Sequence, residues 1–436
     1  MKKGRWSLGL YQGAGWGALA LSPPVLALRA LTDRRYRVGW GERVGRWGQV
    51  PRGGVWVHGA SVGEVGAAAP LVRELRDRGT ATVVSATSPA GREAAARLVG
   101  PGAARLLPAD LCPLVRRALE AASPRAVVLL ETELWPGLLW EARRAGVPVL
   151  LVSARLSERS FRRYARVARA LGPFLAALDE VHAQSAEEAR RFVALGVPAD
   201  RVEVVGNLKF DAGSGAEAEP PGAIQGAVAA GWDAVVAGST HPGEEEAVLA
   251  AAARARAAGA RPGVILAPRH LERLGRLRRE LAARGPEPAV WSELEDEARG
   301  LVDAFARGAP VLVDRYGLLA GLYRGARCAF VGGSLVPVGG HNLLEPLRWG
   351  VPVVFGPFIE NCREVAREIL RRRLGRQVKG AGELGEALAA YLLGSTGGAE
   401  VARGAREFLA AHRGAAARAV EALERRGAVA PRRDGG

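Results

Sequence analysis

Two Rossmann-like, doubly wound α/β domains are the fold this sequence predicts, and three observations lead there. Short apolar runs of strand type recur from Val55 onward, separated by amphipathic stretches of helical period. Residues 212–230, AGSGAEAEPPGAIQGAVAA, interrupt that alternation with Gly, Pro and Ala. The alternation then resumes, and 436 residues are too many for one ordinary core. Strand–helix repeats of this kind build parallel sheets covered by helices on both faces. The expected organisation is an N-terminal segment with a basic linker (1–50), a first Rossmann-like domain (51–211), the linker (212–230), a second Rossmann-like domain (231–400), and a C-terminal helix and tail (401–436). Ligands of such sheets bind beyond the carboxyl ends of the strands, so a central cleft between the two halves is the expected site.

The N-terminal segment comes first. Lys2, Lys3 and Arg5 precede SLGLYQGAGWGALALSPPVLAL, which carries no charge until Arg29. Its length suits a bilayer span, whereas its glycines, Gln12 and Pro23-Pro24 weaken it as a helix. A membrane-associating anchor, a signal peptide cleaved near Ala18-Leu19-Ala20 and a buried apolar arm are the competing readings. Arg29, Arg34, Arg35 and Arg37, with Trp40 and Trp47, suit either a lipid headgroup interface or a solvated linker.

In the first domain VWVHGA (55–60) reads as a strand and SVGEVGAAAPLVRELRDRG (61–79) as an amphipathic helix. TATVVSAT and AVVLLE are strands, WPGLLWEARRAG is a helix, and VPVLLVSA, DEVHAQ and VEVVGNLKF continue the strand series. In the second domain DAVVAGS, GVILAPRH, APVLVD, CAFVGG and VPVVFGP take the same part. Val401 to Arg425 is apolar-periodic and reads as one terminal helix rich in Ala and Arg.

Composition narrows the partners. A 48% apolar, 24% charged chain is globular, and its net charge of +16 favours anionic ligands such as nucleotides or phosphorylated lipids. Only 6% of residues are aromatic, with no basic–aromatic interleaving of the kind that stacks bases, which argues against nucleic acid. Cys112, Cys328 and Cys362 lie far apart, consistent with a reducing compartment. The six histidines are scattered, and neither a HExxH nor an Asp-x-Asp occurs, so no metal is expected.

Polar residues at strand ends are the chemical candidates. Ser61-Val-Gly-Glu64 has the spacing of a capping box, and the helix N-terminus there makes the carboxylate less basic. Glu64 serves as a general base only where desolvation opposes that effect. Glu131 and Glu133 end a strand together and need a cation or hydroxyl groups, and Lys209 is a candidate cation. Arg269 ends GVILAP and suits a phosphate. Residues 331–358, VGGSLVPVGGHNLLEPLRWGVPVVFGPF, read as strand, glycine-rich loop, short helix and strand. Either the loop brings backbone N–H groups to an anion, or it is a tight connection between helix and strand. Glu345 in the first turn caps that helix or accepts sugar hydroxyls. The basic stretch Arg155 to Arg169 is a solvated helix or a surface for lipid phosphates.

These residues resemble a known family. HGASVGE (58–64), ETELWP (131–136), ARLSERS (154–160), GNLKFD (206–211), PRH (268–270) and GGSLVPVGGHNLLEP (332–346) are similar, in order, to blocks of the bacterial Kdo (3-deoxy-D-manno-octulosonic acid) transferases. The resemblance implies a GT-B glycosyltransferase that moves Kdo from CMP-Kdo to the lipid A precursor at the cytoplasmic face of the inner membrane, with no cofactor beyond the donor substrate. It implies Glu64 as proton acceptor, with Glu131 and Lys209 stabilising the transition state. It places CMP on Pro268, Arg269, Tyr316, Gly317, Leu318, Asn342, Leu343, Leu344 and Glu345. Leu318 stands where the family often has Glu, and Leu343 where it usually has Pro. Another GT-B transferase or sugar-nucleotide epimerase, and a non-enzymatic binder of anionic lipid, are the alternatives that fold alone does not separate.

Overall fold

A computed structural model of the chain describes residues 2–21, 39–211, 221–294, 297–394 and 397–431. Among these residues the chain forms two seven-stranded parallel sheets. The first comprises β1 (Val55–His58), β2 (Thr82–Ala86), β3 (Ala104–Leu106), β4 (Ala126–Leu130), β5 (Val149–Ala154), β6 (Glu180–Ala183) and β7 (Val202–Val204), in the order β3-β2-β1-β4-β5-β6-β7. The second comprises β8 (Asp233–Thr240), β9 (Pro262–Pro268), β10 (Ala289–Val290), β11 (Val311–Leu312), β12 (Cys328–Val331), β13 (Val353–Phe355) and β14 (Gly375–Gln377), in the order β10-β11-β9-β8-β12-β13-β14. The strand order reverses at β1 in one sheet and at β8 in the other, and such switch points are where doubly wound sheets bind ligands.

Both faces of each sheet are covered, which is why the strands read as unbroken apolar runs. Trp56, Val127 and Leu129 enter one core of the first sheet, while Val55, Val57, Val128 and Leu130 enter the other. Val235 and Ala237 face one core of the second sheet, and Ala234 and Val236 the opposite one. Alternation along each strand thus serves two apolar layers.

Contacts group Met1–Ala212 with His412–Gly436 in one unit and Gly213–Ala411 in the other. The stretch expected to be one terminal helix is two, Gly398–His412 and Ala415–Arg425, broken at Gly414 (φ 105°). Asp211 fixes the break: its carboxylate accepts the N–H groups of Gly414 and Ala416, both at 2.6 Å. The last helix thereby returns to the first unit and buries Ala415, Ala419, Val420 and Leu423 beneath its sheet.

The N-terminal segment forms a helix, Lys2–Leu21, held to the first unit by polar contacts. Tyr11 Oη donates to Asp110 Oδ2 at 2.9 Å, and Gln12 bonds the carbonyl of Asp110 and the N–H of Cys112. Trp6 (80% exposed), Leu10 and Trp16 remain on the surface, so the helix is not a buried arm. No described helix is long and apolar enough to cross a membrane. Pro23-Pro24, the rest of the apolar stretch and Arg29, Arg34, Arg35 and Arg37 lie outside the described residues. Trp47, expected beside lipid headgroups, is instead in the core, edge-on to Trp56 with its Nε1 bonded to the carbonyl of Leu106.

Candidate active site

Glu64 sits in the first turn of the helix Val62–Ala67, immediately beyond β1. Ser61 caps the helix: its Oγ accepts the N–H of Glu64 at 3.2 Å and donates to Glu64 Oε1 at 3.0 Å. The N–H of Ala60 donates to Oε2 at 2.7 Å. Gly59 makes room for this arrangement, because a Cβ there would stand 3.0 Å from both Glu64 Cβ and Leu130 Cδ1. Burial is the dominant influence on the carboxyl group, which is pushed up to about 7. The Ala60 N–H and the Ser61 hydroxyl oppose that rise, while the nearby Glu131 and Glu133 add to it. Desolvation therefore prevails over these hydrogen bonds, and the residue whose N–H Ser61 caps titrates near neutrality.

Glu131 leaves the end of β4 with φ of 52°, a left-handed conformation that costs a non-glycine residue about 1–3 kcal/mol. Its N–H donates to the carbonyl of Val152, and its own carbonyl accepts the N–H of Arg155, so β5 and the turn after it hold the residue in place. The side chain meets Lys209 Nζ at 2.7 Å. Lys209 belongs to the one-turn helix Leu208–Asp211, anchored where Ser153 Oγ accepts the N–H of Leu208. Glu133 turns elsewhere, to His58 Nε2 at 3.3 Å and Trp135 Nε1 at 2.9 Å. The sequence left both glutamates in search of a cation; Lys209 takes Glu131, and two ring N–H positions take Glu133.

In the second unit Arg269 follows β9, its N–H bonded to the carbonyl of Thr240 while its side chain is exposed. Ser239, Pro268, Arg269, Arg315, Tyr316 and Gly317 line part of a cavity of about 80 Å³. Gly317 has φ of 94°, and Tyr316 is exposed. Leu318 packs on the core, and Leu343 and Leu344 are buried, so these three leucines offer a ligand only their backbone. Asn342 bridges its turn, with Nδ2 donating to Glu345 Oε1 at 3.2 Å and Oδ1 accepting the N–H of Leu344. Burial raises the Glu345 carboxyl group, against the pull of Asn342, Arg348 and Arg269. The helix that follows is one turn, Leu344–Leu347, and its dipole is correspondingly small.

The glycine-rich loop does bring backbone N–H groups to an anion, but that anion is internal. Glu244, fully buried, accepts the N–H groups of Gly333 (2.7 Å), Ser334 (3.0 Å), Leu335 (2.9 Å) and His241 (2.9 Å). A Cβ at Gly332 would fall 2.5 Å from the carbonyl of Ser239, so the glycine serves close packing. Glu244 escaped sequence reasoning because Glu244-Glu245-Glu246 opening a helix reads as decoration of the helix dipole. Three histidines escaped it too: His241, His270 and His341 follow β8, β9 and β12, which are neighbours in the sheet. Their shared position after strand ends was the available signal. Glu180, His182 and Glu203 are the one metal-type donor group among the described residues, yet Arg425 and Arg426 bind Glu180 and Arg418 binds Glu203, as in an ion-pair network.

Comparison with known proteins identifies the family. Residues 38–212 match the family model described as 3-deoxy-D-manno-octulosonic-acid transferase (kdotransferase). The chain is 36% identical over 380 residues to a 3-deoxy-D-manno-octulosonic acid transferase of Bordetella pertussis, covering 85% of this chain and 86% of that one. It is 30% identical over 413 residues to the Haemophilus influenzae protein of the same name, covering 92% and 94%. A UDP-GlcNAc 2-epimerase from Neisseria meningitidis shares the fold, with a TM-score of 0.56 at 15% identity over 85% of this chain and 99% of that one. The epimerase likeness concerns the two-domain fold alone. With relatives of 30–36% identity along most of its length, this chain belongs to the 3-deoxy-D-manno-octulosonic acid transferase family of glycosyltransferases, with a GT-B-like fold.

Proposed function

We propose that the protein transfers Kdo from CMP-Kdo to the lipid A precursor (lipid IVA) in lipopolysaccharide core biosynthesis, with Glu64 as general base and inversion at the anomeric carbon. The observation that carries this reading is the Glu64 carboxyl group, titrating near 7 at the carboxyl end of β1 beside the Glu131–Lys209 pair. A sugar hydroxyl is a weak nucleophile and needs a base whose pKa lies near the working pH. In the proposed step the acceptor oxygen bonds to the anomeric carbon and its proton passes to Glu64. The bond from that carbon to the phosphate oxygen breaks, and its electron pair leaves with CMP. Glu131 supports positive character at the anomeric carbon, and Lys209 balances the carboxylate.

The donor is assigned to the second unit. Arg269 meets the phosphate, Pro268 and the Tyr316-Gly317-Leu318 turn line the nucleotide's place, and Asn342 through Glu345 receive hydroxyl groups. The charge on the phosphate is met by protein cations, and no divalent metal takes part. The protein works at the cytoplasmic face of the bacterial inner membrane. The exposed side chains of Trp6, Leu10 and Trp16 support that placement, as do Arg159, Arg162, Arg163 and Arg166, which line a hollow of about 390 Å³. Incubation with CMP-Kdo and the lipid precursor in EDTA, followed by mass spectrometry of the lipid, tests the reading. A gain of Kdo mass is expected. An unchanged lipid together with turnover of a UDP-sugar would assign the chain to the epimerase chemistry of its fold neighbours.

A further inference from the structure

Three of the chain's six histidines come together after β8, β9 and β12. His241 Nε2 and His341 Nε2 are 2.8 Å apart, with ring centroids 5.1 Å apart and ring planes 8° from parallel. His270 lies edge-on to His241 at 5.7 Å and is exposed. The first two are half-buried, and neither has a part in the binding set assigned above. The short contact requires that one Nε2 carry a hydrogen and the other accept it, so the uncharged pair shares a single proton.

The groups facing the pair are mostly basic. Arg269 and His270 act on both rings, and Arg273 and Glu244 act on His241. Arg273 is bound to Glu245, and Glu244 is occupied by backbone N–H groups. Burial first, then Arg269, holds His341 down to about 4, and burial also lowers His241. At neutral pH two uncharged imidazoles therefore stand beside an exposed guanidinium, kept uncharged by burial and by the positive groups around them. One added proton would leave the Nε2–H···Nε2 bond intact and place a hydrogen on every other ring nitrogen of the pair.

We propose that His241 and His341, with Arg269, bind the phosphate of the donor and take up one proton as they do so. This rests on the donor assignment made above. The chemistry of the leaving group gives the device its use. Before transfer the phosphate is a diester with one negative charge. When the bond to the sugar breaks it becomes a monoester whose second pKa is about 6, and so carries a second negative charge near neutrality. A pair that gains a positive charge matches the departing phosphate better than the bound donor, which is the direction catalysis requires.

Calorimetry of CMP binding at pH 7.5, in buffers of different ionisation enthalpy, tests the inference. Wild-type protein should take up protons on binding, and its affinity should fall as the pH rises above 7. His341→Gln should abolish the uptake and weaken CMP about tenfold, the worth of one hydrogen bond to a charged group. His241→Gln should behave alike, and the wild-type pH dependence stands independently of either variant's folding. CMP binding by wild type without proton uptake, or full uptake by a well-folded His341→Gln, would overturn the inference while leaving the donor assignment in place. No CMP binding by wild type at all would overturn both.

Discussion

Glu64 and Glu244 occupy matching places, each in the first helical turn after the strand at which a doubly wound sheet reverses. Their surroundings differ. Glu244 is fully buried and accepts four backbone N–H groups, three of them from the loop after β12. Glu64 is half-buried, accepts one backbone N–H and one hydroxyl, and has two other carboxylates in its neighbourhood. The first carboxylate is used up in holding a loop. The second is desolvated but poorly compensated, and that combination raises its pKa towards neutrality. One position in one architecture thus holds a structural strut or a carboxyl group that titrates near neutrality, according to how many donors face it.

Replacing each glutamate should break the protein in a different way. Glu64→Gln keeps the shape and cannot take a proton, so turnover should fall on the order of 10²–10⁴-fold with CMP affinity unchanged. A steady-state assay with a parallel binding titration separates these, and near-normal turnover would reduce Glu64 to a cap. Glu244→Ala should instead cost stability, about 3–5 kcal/mol by denaturant unfolding, because buried N–H groups lose their acceptor. A loss under about 1 kcal/mol would mean that the loop is held by other contacts.

Lys209→Met sharpens the comparison by altering the charge near Glu64 without touching it. Glu131 loses its 2.7 Å partner, so the local field becomes more negative. Turnover should drop roughly ten- to a hundredfold, and the remaining activity should need a higher pH. An unshifted pH profile would show that the pair does not influence the base.

The smallest expected effect is on stability. A carboxyl group raised from 4.5 to about 7 binds its proton more tightly folded than unfolded, so its favourable contribution is full below about 4.5 and is lost as the pH rises through 7. Glu64→Gln removes that loss. Its melting temperature relative to wild type should rise between pH 4.5 and 7, by about 2–4 °C after allowance for solvent screening, and level off above. A difference independent of pH would place the Glu64 pKa near its ordinary value.

Local signals in the sequence were sufficient for the architecture and for the cap beside Glu64. Apolar runs such as AVVLL and GVILAP marked strands buried on both faces, and Ser61-x-x-Glu64 marked the cap that the structure contains. Arg269 was legible as a charged residue at a strand end, whereas Lys209, read as the end of a strand, stands in a one-turn helix five residues beyond β7. Features that depend on sheet order were not legible. His241 and His341 are a hundred residues apart and meet only because β12 lies beside β8. Glu244 needed the same adjacency to reach Gly333. Asp211 and Gly414 needed the chain to return to the first unit, and Trp47 reads as interfacial until Trp56 is known to pack against it. The strength of desolvation at Glu64 was likewise invisible, since burial depends on tertiary packing and not on local pattern.

The dependence of wild-type kcat/KM on pH tests the central claim most directly, with CMP-Kdo and the lipid precursor as substrates. A base must be deprotonated to act, so the rate should climb with pH through an acid limb centred near 7, the value at which Glu64 loses its proton. The residual activity of Glu64→Gln should lack that limb. A wild-type limb near 4.5, or one of the same midpoint in Glu64→Gln, would contradict the account and place the proton acceptor elsewhere.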